Sequence, residues 1–121
     1  LKTYLDEGVP DDLIPHLPGH DVSTSKMMGC KGIKNGELLA LVTDAKFEAF
    51  ITNDKQMQNQ QRLLNRPFAV LVLSALNWPV IQPHVANIAE ALDACVPGTI
   101  TKVDCGRFVP SKYKRAKPLE P

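Results

Sequence analysis

The sequence reads as an α/β domain built around a mostly parallel sheet. Two patterns predict it. Short apolar runs alternate with segments of helical period along most of the 121 residues, the arrangement of repeated strand–helix–strand units. One run, Phe68 to Leu73, carries no polar alternation, as expected of a strand covered on both faces. A chain of this length buries roughly two thirds of its unfolded surface, enough for one core without disulfide or metal. One domain over residues 1–105 is therefore expected, with a basic, proline-containing, flexible tail over 106–121.

The first strand is expected over Lys2–Leu5, closed by Asp6, Glu7 and Gly8. Pro10 then stands where the first turn of a helix tolerates proline, and a short helix should run from Asp12 to Leu17 and stop at Pro18-Gly19. His20–Thr24 reads as a second strand, and Met27–Lys34, with Gly29 and Gly32, as a loop. Asn35 is placed to cap a helix whose Leu38, Leu41, Val42 and Ala45 share one face, with Glu37 in its first turn. Phe47–Thr52 reads as a strand, Asp54–Leu64 as a polar helix and Phe68–Ser74 as the central strand. Pro79 opens the longest expected helix, with Ile81, Val85, Ile88, Leu92 and Cys95 on one stripe, ended by Pro97-Gly98. Thr99–Asp104 supplies the last strand.

Composition narrows the function classes. No apolar run approaches the ~20 residues that span a bilayer, and no charged-then-apolar leader opens the chain, so a soluble cytoplasmic protein with no membrane partner is expected. Cys30, Cys95 and Cys105 form no C-x-x-C pair, which speaks against a disulfide framework or zinc site and suits a reducing compartment. Cys95 and Cys105 read as buried or half-buried thiols. The net charge of +1 argues against polyanion binding by the whole surface. It is the sum of two unlike parts: residues 1–105 hold 9 basic and 12 acidic side chains, net −3, and residues 106–121 hold 5 basic and 1 acidic, net +4.

In open parallel sheets, functional groups gather outside the carboxyl ends of the strands. Asp6 and Glu7 follow the first strand there, Asn53 and Asp54 the Phe47 strand, and Ser74 and Asn77 the Phe68 strand. Glu37 reaches the same rim if the glycine-containing loop before its helix returns there. Three carboxylates brought together repel one another and resist ionisation, so such a set makes most sense around a hard divalent cation. Oxygen donors of this kind suit Mg²⁺ or Mn²⁺, and the chemistry they support is metal-assisted phosphodiester hydrolysis. The same residues are equally ordinary as caps and turn formers at helix N-termini.

Five segments then become recognisable in order: Tyr4-Leu-Asp-Glu-Gly-Val-Pro10, His16-Leu-Pro-Gly-His-Asp-Val22, Gly32-Ile-Lys-Asn-Gly-Glu-Leu-Leu39, Ile51-Thr-Asn-Asp-Lys55 with Asn59-Gln-Gln61, and Leu73-Ser74 with Asn77-Trp-Pro79. Together, over roughly residues 2–104, they resemble the bacterial PIN-like family, related to VapC-type toxins and the Mut7 carboxy-terminal nuclease-like domain. The resemblance implies a three-layer α/β/α sandwich on a sheet of four to five strands. It also implies a Mg²⁺- or Mn²⁺-dependent ribonuclease acting as the toxin of a toxin–antitoxin pair, with an antitoxin protein and an RNA as partners and a homodimer as the usual assembly. Asp6, Glu37 and Asp54 match the family's acids, as metal ligands and catalytic residues. The chain departs from the pattern where PIN nucleases often carry a fourth Asp; Asn59, Ser74 and Asn77 are what it offers instead. Gly8 also replaces a frequent Asn.

Other side chains carry two readings each. Lys34 and Lys55 flank the acids and either hold the scissile phosphate or simply neutralise the cluster. Gln60, Gln61 and Arg62 either contact RNA or form a solvated helix face. Trp78 either stacks a base or plugs the top of the core. His16, His20 and His84 read as surface or turn residues without the spacing of a metal pair. A catalytically degenerate PIN-like protein, acting through protein or RNA binding, is the alternative that the missing fourth acid motivates.

Overall fold

A computed structural model describes residues 1–29, 35–54 and 66–105. The tail over 106–121, the helix expected over Asp54–Leu64 beyond its first residue, and residues 30–34 lie outside the described residues. The elements are β1 (Lys2–Leu5), a 3-10 helix (Asp11–His16), β2 (Asp21–Thr24), α1 (Ser25–Met28), α2 (Asn35–Asp44), β3 (Ala49–Thr52), β4 (Ala69–Leu73), α3 (Trp78–Ile81), a second 3-10 helix (Gln82–His84), α4 (Val85–Ala94) and β5 (Ile100–Val103). The five strands form one all-parallel sheet in the order β2-β1-β3-β4-β5. The fold is α/β, and helices flank the sheet as in a three-layer sandwich.

Strand alternation divides the core in two. Leu5, Ala49, Ile51, Leu71, Leu73 and Val103 face the layer made by the first 3-10 helix and by α3 and α4, where they meet Leu13, Leu17, Ile81, Ile88 and Leu92. Tyr4, Phe50, Val70 and Val72 face the opposite way and meet Leu38, Leu39 and Val42 of α2, with Phe47 and Phe68 closing the layer. This double burial is why the β4 sequence shows no polar alternation. All five of its residues are buried.

The crossovers are not all of one hand. The β1–β2 connection steps to one side of β1 over the layer holding the first 3-10 helix, and the β2–β3 connection returns past β1 over the α2 layer. Those two share a hand. The β4–β5 connection steps away from β1 on the opposite side to β2, yet it lies in the same layer as the first 3-10 helix. It therefore has the opposite hand, a departure from the near-universal right-handed rule.

Two expected elements are corrected. Ser25–Met28 is a short helix where Met27 and Met28 were expected to lie in a loop, because Thr24 accepts a hydrogen bond from the Met27 amide at 3.2 Å and caps it. The long helix expected from Pro79 is instead α3, a 3-10 turn and α4. Pro83 lies at the break; it has no amide hydrogen and its ring crowds the preceding turn. The stripe survives the interruption, with Ile81, Ile88 and Leu92 all buried.

The end of α2 shows how local rules and packing meet. The Lys46 amide donates to Thr43 at 3.1 Å and the Phe47 amide to Val42 at 3.1 Å, the paired bonds of a Schellman cap. Phe47 and Val42 then pack together in the core beneath it. The cap puts Lys46 at φ 62°, a left-handed conformation that costs an L-residue roughly 1–2 kcal/mol. Lys46 is exposed, so Lys46→Gly should stabilise the fold by about 1 kcal/mol, read as a higher urea midpoint at unchanged slope.

Candidate functional site

Chain direction reverses between two neighbouring strands: β1 leads outward to β2, and β3 leads the other way towards β4. Ligands of open α/β sheets bind at such a switch point, outside the carboxyl ends of the strands. Here those ends present Asp6 after β1 and Asn53 and Asp54 after β3.

Asp6 and Asn53 are each held across the two strand ends, and Asp54 is held by the last residue of its own strand. The Asp6 amide continues the ladder by donating to the Ile51 carbonyl at 2.9 Å. The Thr52 hydroxyl donates to Asp6 Oδ2 at 2.7 Å and accepts from the Asp54 amide at 3.1 Å. Asp6 Oδ1 accepts from the Glu7 amide at 3.0 Å. Thr52 is fully buried, so its one hydroxyl orients the Asp6 carboxylate and the backbone that carries Asp54 at the same time. Asn53, between them, donates from Nδ2 to the Gly8 carbonyl at 2.7 Å.

Burial raises the Asp6 carboxyl above the usual aspartate value. The hydrogen bonds from Thr52 and Glu7 oppose the shift, and the negative charges of Asp54 and Glu7 add to it. Asp54 is thus close enough for its charge to act on Asp6. Each Asp6 oxygen accepts one hydrogen bond and retains a further lone pair. Among the described residues Asp6 has no basic partner. A half-buried carboxylate, pressed by a second one and held with spare lone pairs, is a donor set that fits a hard divalent cation.

The other expected site residues fall as follows. Glu37 is exposed in the first turn of α2, and among the described residues no group of three or more His, Cys, Asp or Glu side chains is placed to hold a metal ion. Glu7 is exposed beside Asp6 and contributes its amide. Ser74 lies further along the rim, where its Oγ accepts from the Cys105 amide at 2.7 Å and donates to Asp104 at 3.4 Å. Asn77 is exposed at the start of α3 and makes no side-chain cap. Lys34, Lys55, Asn59, Gln60, Gln61 and Arg62 lie outside the described residues.

The histidines and Trp78 settle differently from one another. Trp78 is partly buried and packs against the core, with the exposed His16 ring 5.5 Å from it. Of the two readings of His20, surface or turn, the turn one holds: its amide closes the Pro18-Gly19 turn onto the Leu17 carbonyl at 3.4 Å, and its side chain is only 7% exposed. Its ring lies between the amino terminus, 3.0 Å from Nδ1, and the exposed Asp93, 2.6 Å from Nε2, which links the start of β2 to α4. Cys95 is half-buried and Cys105 buried, both as free thiols. Thr52 and Gly8 are the residues whose roles the sequence did not reveal. The Thr-x-Asp spacing at a strand end was the available signal for Thr52, and Gly8 had none, since its partner is 45 residues away.

The chain matches no family model, no curated protein and no solved structure. Among the described residues no helix is long and apolar enough to cross a membrane.

The Asp6 environment fixes a pH dependence. With its folded-state value raised, Asp6 keeps a proton that the unfolded chain has already lost, so metal-free stability falls as pH rises from the ordinary aspartate value through the raised one. Asp6→Asn lacks that slope. Its stability relative to the parent should improve between pH 4 and pH 7, measured by urea unfolding with chelator present. Thr52→Val, of equal shape, should cost about 1–3 kcal/mol in the same assay, because it removes the donor to Asp6 and the acceptor of the Asp54 amide.

Proposed function

We propose that this protein is a metal-dependent endoribonuclease of PIN-like type, the toxin of a toxin–antitoxin pair. The observation that carries the reading is the pairing of Asp6 with Asp54 at the sheet's switch point, with Asp6 raised by burial and by its neighbour's charge. Burial and, less strongly, the neighbouring charge penalise the ionised Asp6 carboxylate, and a bound cation would relieve that penalty. The five-segment resemblance supports the same reading from the sequence.

Asp6 and Asp54 would hold Mg²⁺ or Mn²⁺, with Glu37 as the third acid the resemblance nominates. The bound ion would supply activated water and charge neutralisation for phosphodiester hydrolysis. The chain's own work is orientation. Thr52 keeps the Asp6 carboxylate turned towards the rim and ties it to the Asp54 backbone, and the Glu7 amide fixes the second oxygen. Because residues 1–105 are net acidic, an RNA backbone would approach the rim only once a cation offsets that charge. The proposal carries with it an antitoxin partner, dimerisation of the VapC kind and a cytoplasmic location.

Glu37's exposure keeps a second reading in view, a degenerate PIN-like protein that binds RNA or protein without cleaving. One assay separates the two. Purified parent protein should cleave single-stranded RNA in Mn²⁺ and lose at least about 100-fold of that rate in Asp6→Asn or Asp54→Asn, with thermal unfolding showing both variants folded. Cleavage unchanged in either variant would contradict the hydrolase, and no cleavage by the parent would favour the binding protein.

A further inference from the structure

Asn53 is 7% exposed, deeply placed for a polar side chain beyond the end of a strand. Its amide nitrogen spends a hydrogen bond on the Gly8 carbonyl at 2.7 Å. Gly8 is not one of the glycines with positive φ, so its backbone does not demand glycine. Space does. A Cβ at position 8 would fall 2.7 Å from Asn53 Oδ1, closer than such atoms approach. Moving that oxygen aside turns the whole planar amide and so strains or lengthens its bond to the Gly8 carbonyl. Gly8 also sits inside the turn closed by the Val9 amide donating to the Asp6 carbonyl at 2.9 Å. The two residues thus latch the turn leaving β1 to the end of β3, with Asp6 two residues before Gly8 and Asp54 directly after Asn53.

We infer that Asn53 is the positioning residue for the Asp6–Asp54 pair, and that glycine at position 8 is the space its amide requires. The inference deepens the proposed function, since it takes the two acids as one cation site. Asn53 itself acts through the backbone. It fixes how far the Asp6 turn stands from the Asp54 backbone, while Thr52 fixes the orientation of the Asp6 carboxylate.

Residue-resolved hydrogen exchange on the full chain, without metal, tests the latch. In Asn53→Ala the amides of Glu7, Val9 and Asp54 should exchange about tenfold faster relative to those of Leu71 and Val72 in β4. Gly8→Ala should do the same, and adding it to Asn53→Ala should have no further effect, since the colliding atom is gone. A uniform change at all five amides, or an equal effect of Gly8→Ala in both backgrounds, overturns the inference. Calorimetric titration with Mn²⁺ adds the functional arm: Asn53→Ala should bind about tenfold more weakly than the parent, as removal of outer support does at metal sites. If the parent binds no Mn²⁺, the cation reading of the rim fails, and the exchange pattern alone decides the latch.

Discussion

The candidate site hangs on one hydroxyl. Thr52 donates to the Asp6 carboxylate and accepts from the Asp54 amide, and it is fully buried at the end of β3. A buried hydroxyl must be satisfied on both counts or cost stability. Here its two partners are the two residues that the chemistry would need. The same bonds that satisfy Thr52 therefore hold a carboxylate in a place where burial and a like charge penalise it. The fold accepts this because the rest of the sheet is secure: β3 and β4 are buried along their whole length, with helices on either side.

The order of the strands explains why the acids meet at all. Asp6 and Asp54 are separated by 47 residues of chain, yet β1 and β3 are hydrogen-bonded neighbours in register from Thr3 with Ala49 to Leu5 with Ile51. Continuing that register by one step sets Asp6 beside Thr52, and the next steps bring the Gly8 turn against Asn53. The site is thus a consequence of parallel pairing, carried on past the last ladder bond by side chains. Under the proposed function, near-neutral net charge would set an order of events, with a cation bound before an anionic backbone could approach.

Much of this was legible in the sequence, and the reasons divide cleanly. All five strands were readable because β-branched and aromatic runs such as Ala49–Thr52 and Ala69–Leu73 differ in period from the helices around them. That Asp6 and Asp54 share one rim was readable because each closely follows a strand of the same parallel sheet. The short helix at Ser25–Met28 was missed, since one capping hydroxyl and two exposed methionines leave no apolar stripe to detect. The break at Pro83 was missed because the apolar spacing runs through it undisturbed. The contact of His20 with Asp93 was not readable because the two lie 73 residues apart, and nothing in either neighbourhood announces the other. Gly8 belongs to the same class: the atom that excludes a side chain there comes from another strand.

The central claim is that Asp6 and Asp54 form one cation site, and paramagnetic broadening tests it most directly. In an amide correlation spectrum of the parent protein titrated with substoichiometric Mn²⁺, the signals of Glu7, Asn53 and Asp54 should broaden first. Those of Ala45 and Lys46, at the other end of the sheet, should stay sharp. Broadening spread evenly over acidic surface residues such as Asp11, Asp12 and Asp21, with no preference for the β1–β3 rim, would contradict the account.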